Sequence, residues 1–338
     1  MPERPIVIKL GGDALASPAR ILAAAERIRR LAAEGPVVAV ASARRGVTDH
    51  LLGLVREIRD ATGGSTRPHA EADRALATGE VVSAALLALA LDELGIPAVS
   101  LDAREAGVLG AGSFGRARIR KIETGRVLRR LARGELPVIA GFQGWRRGRV
   151  VTLGRGGTDT SAVALAAALR SPRLVFVKDT EGLRTADPKL VADAQAIPCA
   201  SHAFLCALTT AGAQVVQPDA ARLAHSESLP LEFVSLASEA SETRITADTP
   251  RDGLRAVATN IKGEIAEISA IAAGITPPSG TWELIREALR AAFIPLLDIH
   301  PGPDGPRFLV PAEQAGAATR VIHSIFVPPL PRQIARAS

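Results

Sequence analysis

Through the first 235 residues, short apolar runs alternate with longer stretches in which Ala and Leu recur every third or fourth position. Apolar runs rich in β-branched residues mark strands, and a period near 3.6 marks helices. Strands are therefore expected at 5–10, 36–42, 97–101, 136–140, 174–178 and 229–235. Helices are expected at 18–33, 48–59, 71–95, 124–133, 158–169 and 201–211. This alternation predicts an α/β domain whose mostly parallel sheet is covered by helices. Ligands of such sheets bind beyond the carboxyl ends of the strands, so the chemistry is sought in the residues that follow each strand.

The pattern changes near Thr246, where TADTPRDGLR forms a polar segment containing Pro and Gly. Beyond it the periodicity predicts a strand at 264–272, a helix at 280–292, a hairpin of 294–300 and 306–310 around PGPDG, and a helix at 313–324. That order is the ferredoxin-like layout. The expected organisation is a large α/β domain over 1–246, a linker over 247–256, a small α+β domain over 257–326 and a tail over 327–338.

A chain of 338 residues with 47% apolar content can bury a core of enzyme size. Its longest apolar stretch, 81–91, is too short for a bilayer span, and the N-terminus lacks the apolar segment of a secretion signal. No membrane partner and a cytoplasmic location are expected. Cys199 and Cys206 lack the paired spacing of a zinc site, and both are read as buried small apolar residues. The net charge of +6 comes from 41 cations and 35 anions that look interspersed, so no nucleic acid partner is expected. Only five of those cations are lysines, which makes a lysine at a strand end informative.

Four loops carry candidate chemistry. After the first strand stands Lys9-Leu10-Gly11-Gly12, where two glycines allow a polyphosphate close to the backbone and the lysine supplies charge. After the second, Ser42 to Asp49 opens a helix whose N-terminus can hold an anion, with Thr48 in its first turn. Thr78-Gly79-Glu80 sets a carboxylate beside a glycine as an apolar helix begins. The strongest signal is 152–162, TLGRGGTDTSA, a glycine-rich turn breaking into a helix. Its amides and Arg155 suit an anion, and Asp159 lies in the first helical turn. Lys178, at the end of its strand, is placed to reach a phosphate.

Eight segments in order resemble the aspartokinases of the amino-acid kinase family: KLGGDA, AVASARRGVTD, ATGE, ARI, IAGFQG, TLGRGGTDTSAVALAAAL, KDTEGLRTADPK and GAQVVQP. The resemblance covers about 5–246 and implies a three-layer αβα amino-acid kinase fold with a mostly parallel sheet. It implies that Lys9, Gly11 and Gly12 contact the transferring phosphate with Ser42 nearby, and that Thr48, Glu80, Arg155, Thr158 and Asp159 surround an amino-acid substrate. Lys9, Arg155 and Asp159 would be catalytic. Lys178, Asp179, Gly182, Arg184, Thr185, Asp187, Pro188 and Gln214 would serve the nucleotide. The implied reaction is transfer of the ATP γ-phosphoryl to the side-chain carboxylate of aspartate, with Mg²⁺ bridging the phosphates. By layout the small domain resembles one ACT module, which implies a homodimer and an effector site. The family usually carries two such modules.

Several loops depart from the family pattern. Asp13 and Ala14 replace Thr and Ser, Arg44 and Arg45 replace Met and Gly, and Ala77 replaces Ser. Arg184 stands for Tyr, Gln214 for Lys, Gln217 for His and Glu242 for Gly. Gln214 removes a positive charge from the phosphate region, and Asp13 adds a negative one that Arg44 and Arg45 either offset or pair with. These departures leave two alternatives open: a weak or inactive homologue with a binding role, or a kinase for another small carboxylic acid.

Overall fold

The computed structural model describes residues 3–64, 68–154, 156–178, 182–237, 242–247, 254–272 and 278–328. The chain divides into two compact units, the first comprising 1–180 and 229–239 and the second 181–228 and 240–338.

The first unit begins with β1 (Ile6–Leu10), α1 (Pro18–Ala32), β2 (Val37–Ala41), α2 (Val47–Ala61) and α3 (Ala70–Glu93). It continues with β3 (Ala98–Leu101), β4 (Val108–Ala111), β5 (Arg118–Ile122), α4 (Gly125–Leu131) and β6 (Leu136–Ala140). Then come β7 (Gln143–Arg146), β8 (Arg149–Thr152), α5 (Gly157–Ala168) and β9 (Leu174–Lys178). The strand Leu231–Ser235 pairs with β9, and its neighbours run β9-β1-β2-β6-β3, every pairing parallel. A central strand that is buried on both faces is expected to be apolar, as β2 is throughout and as β1 is except at Lys9.

The helices follow from their spacing. Ser17 caps α1 by accepting the Arg20 N–H at 3.3 Å, and Ile21, Ala24, Ala25, Ile28 and Leu31 form its buried face. They pack with Leu87 and Leu91 of α3 on Ile6, Ile8 and Leu10. The α3 helix is the one helix among the described residues long and apolar enough to cross a membrane, and 56% of its most apolar window is buried inside the protein.

Pattern reading missed a second sheet, β5-β4-β7-β8, four or five residues per strand. Its Arg118, Arg120, Arg146 and Arg149 lie at exposed or half-buried positions, whereas Gly110 admits Val151, which a Cβ there would approach to 2.6 Å.

In the second unit, Ala256–Lys262, Ile265–Ile271, Arg307–Pro311 and Asp298–His300 form an antiparallel sheet in that order. The helices Thr281–Ala291 and Ala315–Phe326 join its core through Ile285, Leu289, Ile322 and Phe326 against Ile268 and Phe308. The expected ferredoxin-like elements are present, and the leading strand Ala256–Lys262 adds a fourth. Its exposed Lys262 and half-buried Thr259 and Asn260 obscured it. The unit also contains the helices His202–Thr210 and Pro218–Ser226 and a strand pair, Cys199–Ser201 beside Thr243–Thr246; the second helix and both strands were unforeseen. Cys199 is exposed and Cys206 half-buried, correcting the expectation of two buried thiols; Cys199 opens a three-residue strand whose middle residue alone is buried.

Candidate active site

Lys9 leaves the central strand pointing at the start of α5. Its ammonium lies 2.8 Å from a carboxylate oxygen of Asp159, with both residues buried. Asp159 reaches that point because Gly156 turns the chain with φ +70° into α5. Gly157 packs so closely that a Cβ would stand 2.7 Å from the Leu153 Cβ. The turn before it is also tight: Phe142 adopts φ +66°, held by its N–H donating to the Ser161 hydroxyl at 3.1 Å. Left-handed backbone at a non-glycine residue persists where the surroundings over-determine it, commonly at functional sites.

Glu80 faces the same cleft from inside α3. Thr78-Gly79-Glu80 belongs to the helix interior rather than its start, because Gly79 lets α3 touch the loop after β2: a Cβ there would lie 2.9 Å from the Ala43 Cβ. One Glu80 oxygen accepts the Ala43 N–H at 3.1 Å, and the other is buried with no hydrogen-bond partner among the described residues. Burial pushes the Glu80 carboxyl up to about 7, against the Ala43 N–H and the Lys9 charge, which favour the anion.

Lys9, Ser42, Thr48, Glu80, Thr158 and Asp159 thus line one cleft of about 800 Å³. Gly11 and Gly12 form the adjoining turn, in which the Gly11 N–H donates to the Val177 carbonyl at 3.3 Å and a Cβ on Gly12 would stand 2.7 Å from the Ala43 carbonyl oxygen. Lys178 ends β9, half-buried. Arg155 and Asp179 lie outside the described residues. Gly182, Arg184, Asp187 and Gln214 belong to the second unit. There, Gly182 adopts φ +53° against Thr243, the Arg184 guanidinium donates to the Ala194 carbonyl at 3.0 Å, and Gln214 is exposed. Asp187 accepts the Lys189 N–H at 2.9 Å. Thr185 is held by the buried His323, whose Nε2 lies 2.9 Å from its hydroxyl; burial lowers the affinity of that ring for a proton.

Of the two readings of Asp13, pairing is what occurs: its carboxylate forms an ion pair with the Arg45 guanidinium. Arg44 turns away to the Ala16 carbonyl at 3.1 Å.

Asp73 was missed. It lines the cleft, fully buried, and accepts the N–H groups of Gly115 at 2.9 Å and Thr152 at 2.6 Å, so one carboxylate ties α3 to the mouth of the glycine-rich loop. Burial raises its carboxyl above the ordinary range despite those donors. In sequence it reads as an acid in the first turn of a helix, which needs no further explanation.

Residues 4–235 match the amino acid kinase family. An aspartokinase of Geobacillus stearothermophilus is 41% identical over 233 residues, 68% of this chain and 56% of the relative. One of Corynebacterium glutamicum is 36% identical over 295 residues, 86% of this chain and 68% of the relative. Among solved structures, aspartokinase III of E. coli in complex with aspartate and ADP has a TM-score of 0.82 at 21% identity, covering 95% of this chain and 99% of that one. Aspartate kinase from Synechocystis has a TM-score of 0.63 at 26% identity, covering 97% and 71%. The chain belongs to the amino acid kinase family. Within that family, the relatives it follows are aspartokinases, and it spans little more than half the length of several of them, 55% for one from Bacillus.

The unfolded chain releases the Glu80 proton near the ordinary 4.5, whereas the folded protein holds it up to about 7. Glu80 therefore costs stability as pH rises through that window. Glu80→Gln is expected to gain on the parent between pH 4.5 and 7, by up to about 3 kcal/mol in urea titrations. A difference that does not change with pH would contradict this.

Proposed function

We propose that the chain is an aspartokinase, transferring the γ-phosphoryl group of ATP to the side-chain carboxylate of aspartate. The observation that carries this reading is the buried trio of Lys9, Asp159 and Glu80 in one cleft. The unpartnered Glu80 oxygen suits a substrate ammonium, whose arrival would draw the carboxyl to its charged form. Arg155, with its planar fork, would take a substrate carboxylate, and Thr48 and Thr158 would supply hydroxyls. Lys9, with the Gly11–Gly12 turn beside it, would meet the transferring phosphoryl group, and Asp159 would fix the position of its ammonium.

Phosphoryl transfer asks the protein for alignment and for cancellation of charge on the equatorial oxygens. Mg²⁺, when bound with ATP, would supply positive charge that offsets that of the phosphates. Among the described residues no group of three or more His, Cys, Asp or Glu side chains is placed to hold a metal. Asp179, Gly182, Thr185 and Asp187 would form the nucleotide loop, with Arg184 stacked on the purine. Gln214 would leave the phosphates one cation short.

Residues 1–246 would make the catalytic domain and 257–326 a single ACT-like regulatory module. The bond between Thr185 and His323 supports coupling of that module to the nucleotide loop. The exposed edge strand Asp298–His300 and exposed Phe293 support pairing of two modules in a homodimer. A cytoplasmic location accompanies this reading. The Asp13–Arg45 pair favours a second reading, a weak or inactive homologue that retains binding.

With aspartate, ATP and Mg²⁺ in hydroxylamine, the chain is expected to yield aspartyl hydroxamate and ADP. Lys9→Ala should slow this by about 10²–10³-fold. No hydroxamate from folded protein with any of a panel of acids sinks the first reading and leaves the second. Asp13→Thr removes a negative charge near the phosphates and should tighten MgATP binding in calorimetry; unchanged affinity would mean that Arg45 already cancels it.

A further inference from the structure

Residues 101–150 hold twelve of the 41 basic side chains and four of the 35 acidic ones, a formal charge of +8 against +6 for the whole chain. Spread evenly, the chain's charge would give this stretch about +1. The excess is therefore local, and folding concentrates part of it along α4. Arg126, Arg129, Arg130 and Arg133 stand at the i, i+3, i+4, i+7 spacing that lines one stripe of a helix, the last of them two residues beyond its end. Val127, fully buried, pins the helix to the body of the first unit.

These four arginines, with Leu101 and Glu105, line a cavity of about 380 Å³. Arg126 and Arg129 also line a second cavity, of about 540 Å³, with Lys121 and Thr124. The shared residues make one groove across the helix, and none of its lining belongs to the cleft of Lys9 and Asp159. The local carboxylates do not neutralise it. Glu123 approaches Arg126 at 3.4 Å, Glu135 approaches Arg130 at 3.1 Å, and Glu105 accepts the Asp102 N–H at 3.0 Å. Arg129 and Arg133 are exposed and have no carboxylate within ion-pair distance among the described residues.

Like charges one helical turn apart repel, and an anion bridging two guanidinium forks relieves the repulsion with paired hydrogen bonds. We infer that this groove binds a small polyanion, a compound carrying two or more phosphate or carboxylate groups. Its volume falls within the range of small-molecule sites. Nucleic acid fits less well, because neither cavity of the groove is lined by an aromatic ring on which a base could stack.

The test is calorimetric titration of the full chain with inorganic triphosphate at low salt. Binding is expected to weaken at least tenfold in Arg129→Ala/Arg133→Ala, whose exposed positions leave the fold intact, and to weaken as salt rises. Arg290→Ala, an exposed arginine of the second unit with no part in either cavity, should leave it unchanged. Citrate competing with triphosphate assigns the groove to polyanions in general, and failure to compete assigns it to phosphates. Triphosphate binding that the double variant retains, or no binding at millimolar concentration, overturns the inference. Equal loss of affinity for a single-stranded oligonucleotide that outcompetes triphosphate would overturn it in favour of nucleic acid.

Discussion

An ammonium withdrawn from water is tolerable only beside an opposite charge, and this requirement governs the first unit. Burying either ion alone costs several kcal/mol, so Lys9 and Asp159 must arrive together. Lys9 is carried by the strand at the middle of the sheet, and Asp159 by the first turn of α5. Holding them 2.8 Å apart demands the left-handed Gly156, the crowded Gly157 and the strained Phe142, none of which the sheet itself requires. The glycine-rich loop is the backbone route that lets a helix begin against a charged strand end.

Two further buried carboxylates extend this logic through α3. Asp73 satisfies two backbone amides and fixes the loop entrance, whereas Glu80 satisfies one and keeps an oxygen unused. The first is a structural tie. The second is an unpaid polar group in a cleft, the kind of deficit a ligand is suited to remove. A helix that supplies core leucines on one face and these acids on another explains why its apolar length does not mark a membrane span.

The sequence made the parallel sheet and its order of loops legible, because strands buried on both faces are continuous apolar runs and the glycine turns sit at their ends. The cleft residues Lys9, Ser42, Thr48, Glu80, Thr158 and Asp159 were therefore found, and the structure brings them together. The small β5-β4-β7-β8 sheet was not, because strands of four or five residues with arginine at exposed or half-buried positions carry no period strong enough to read. Nor was Ala256–Lys262, whose outer residues resemble a linker. Asp73 and the Asp13–Arg45 pair were invisible in role for a different reason. Their meaning lies in partners 42, 79 and 32 residues away, and spacing along the chain says nothing of such contacts. The local excess of arginine was present in the letters, but its alignment along one groove required the fold.

A double-mutant cycle on the buried pair tests this account most directly. Asp159→Asn alone leaves a buried cation short of its counterion and should lose about 3–5 kcal/mol of stability by denaturant titration. Lys9→Met with Asp159→Asn removes both charges and should regain much of that loss. Losses that simply add, with no coupling between the two positions, would contradict the claim that this ion pair organises the site.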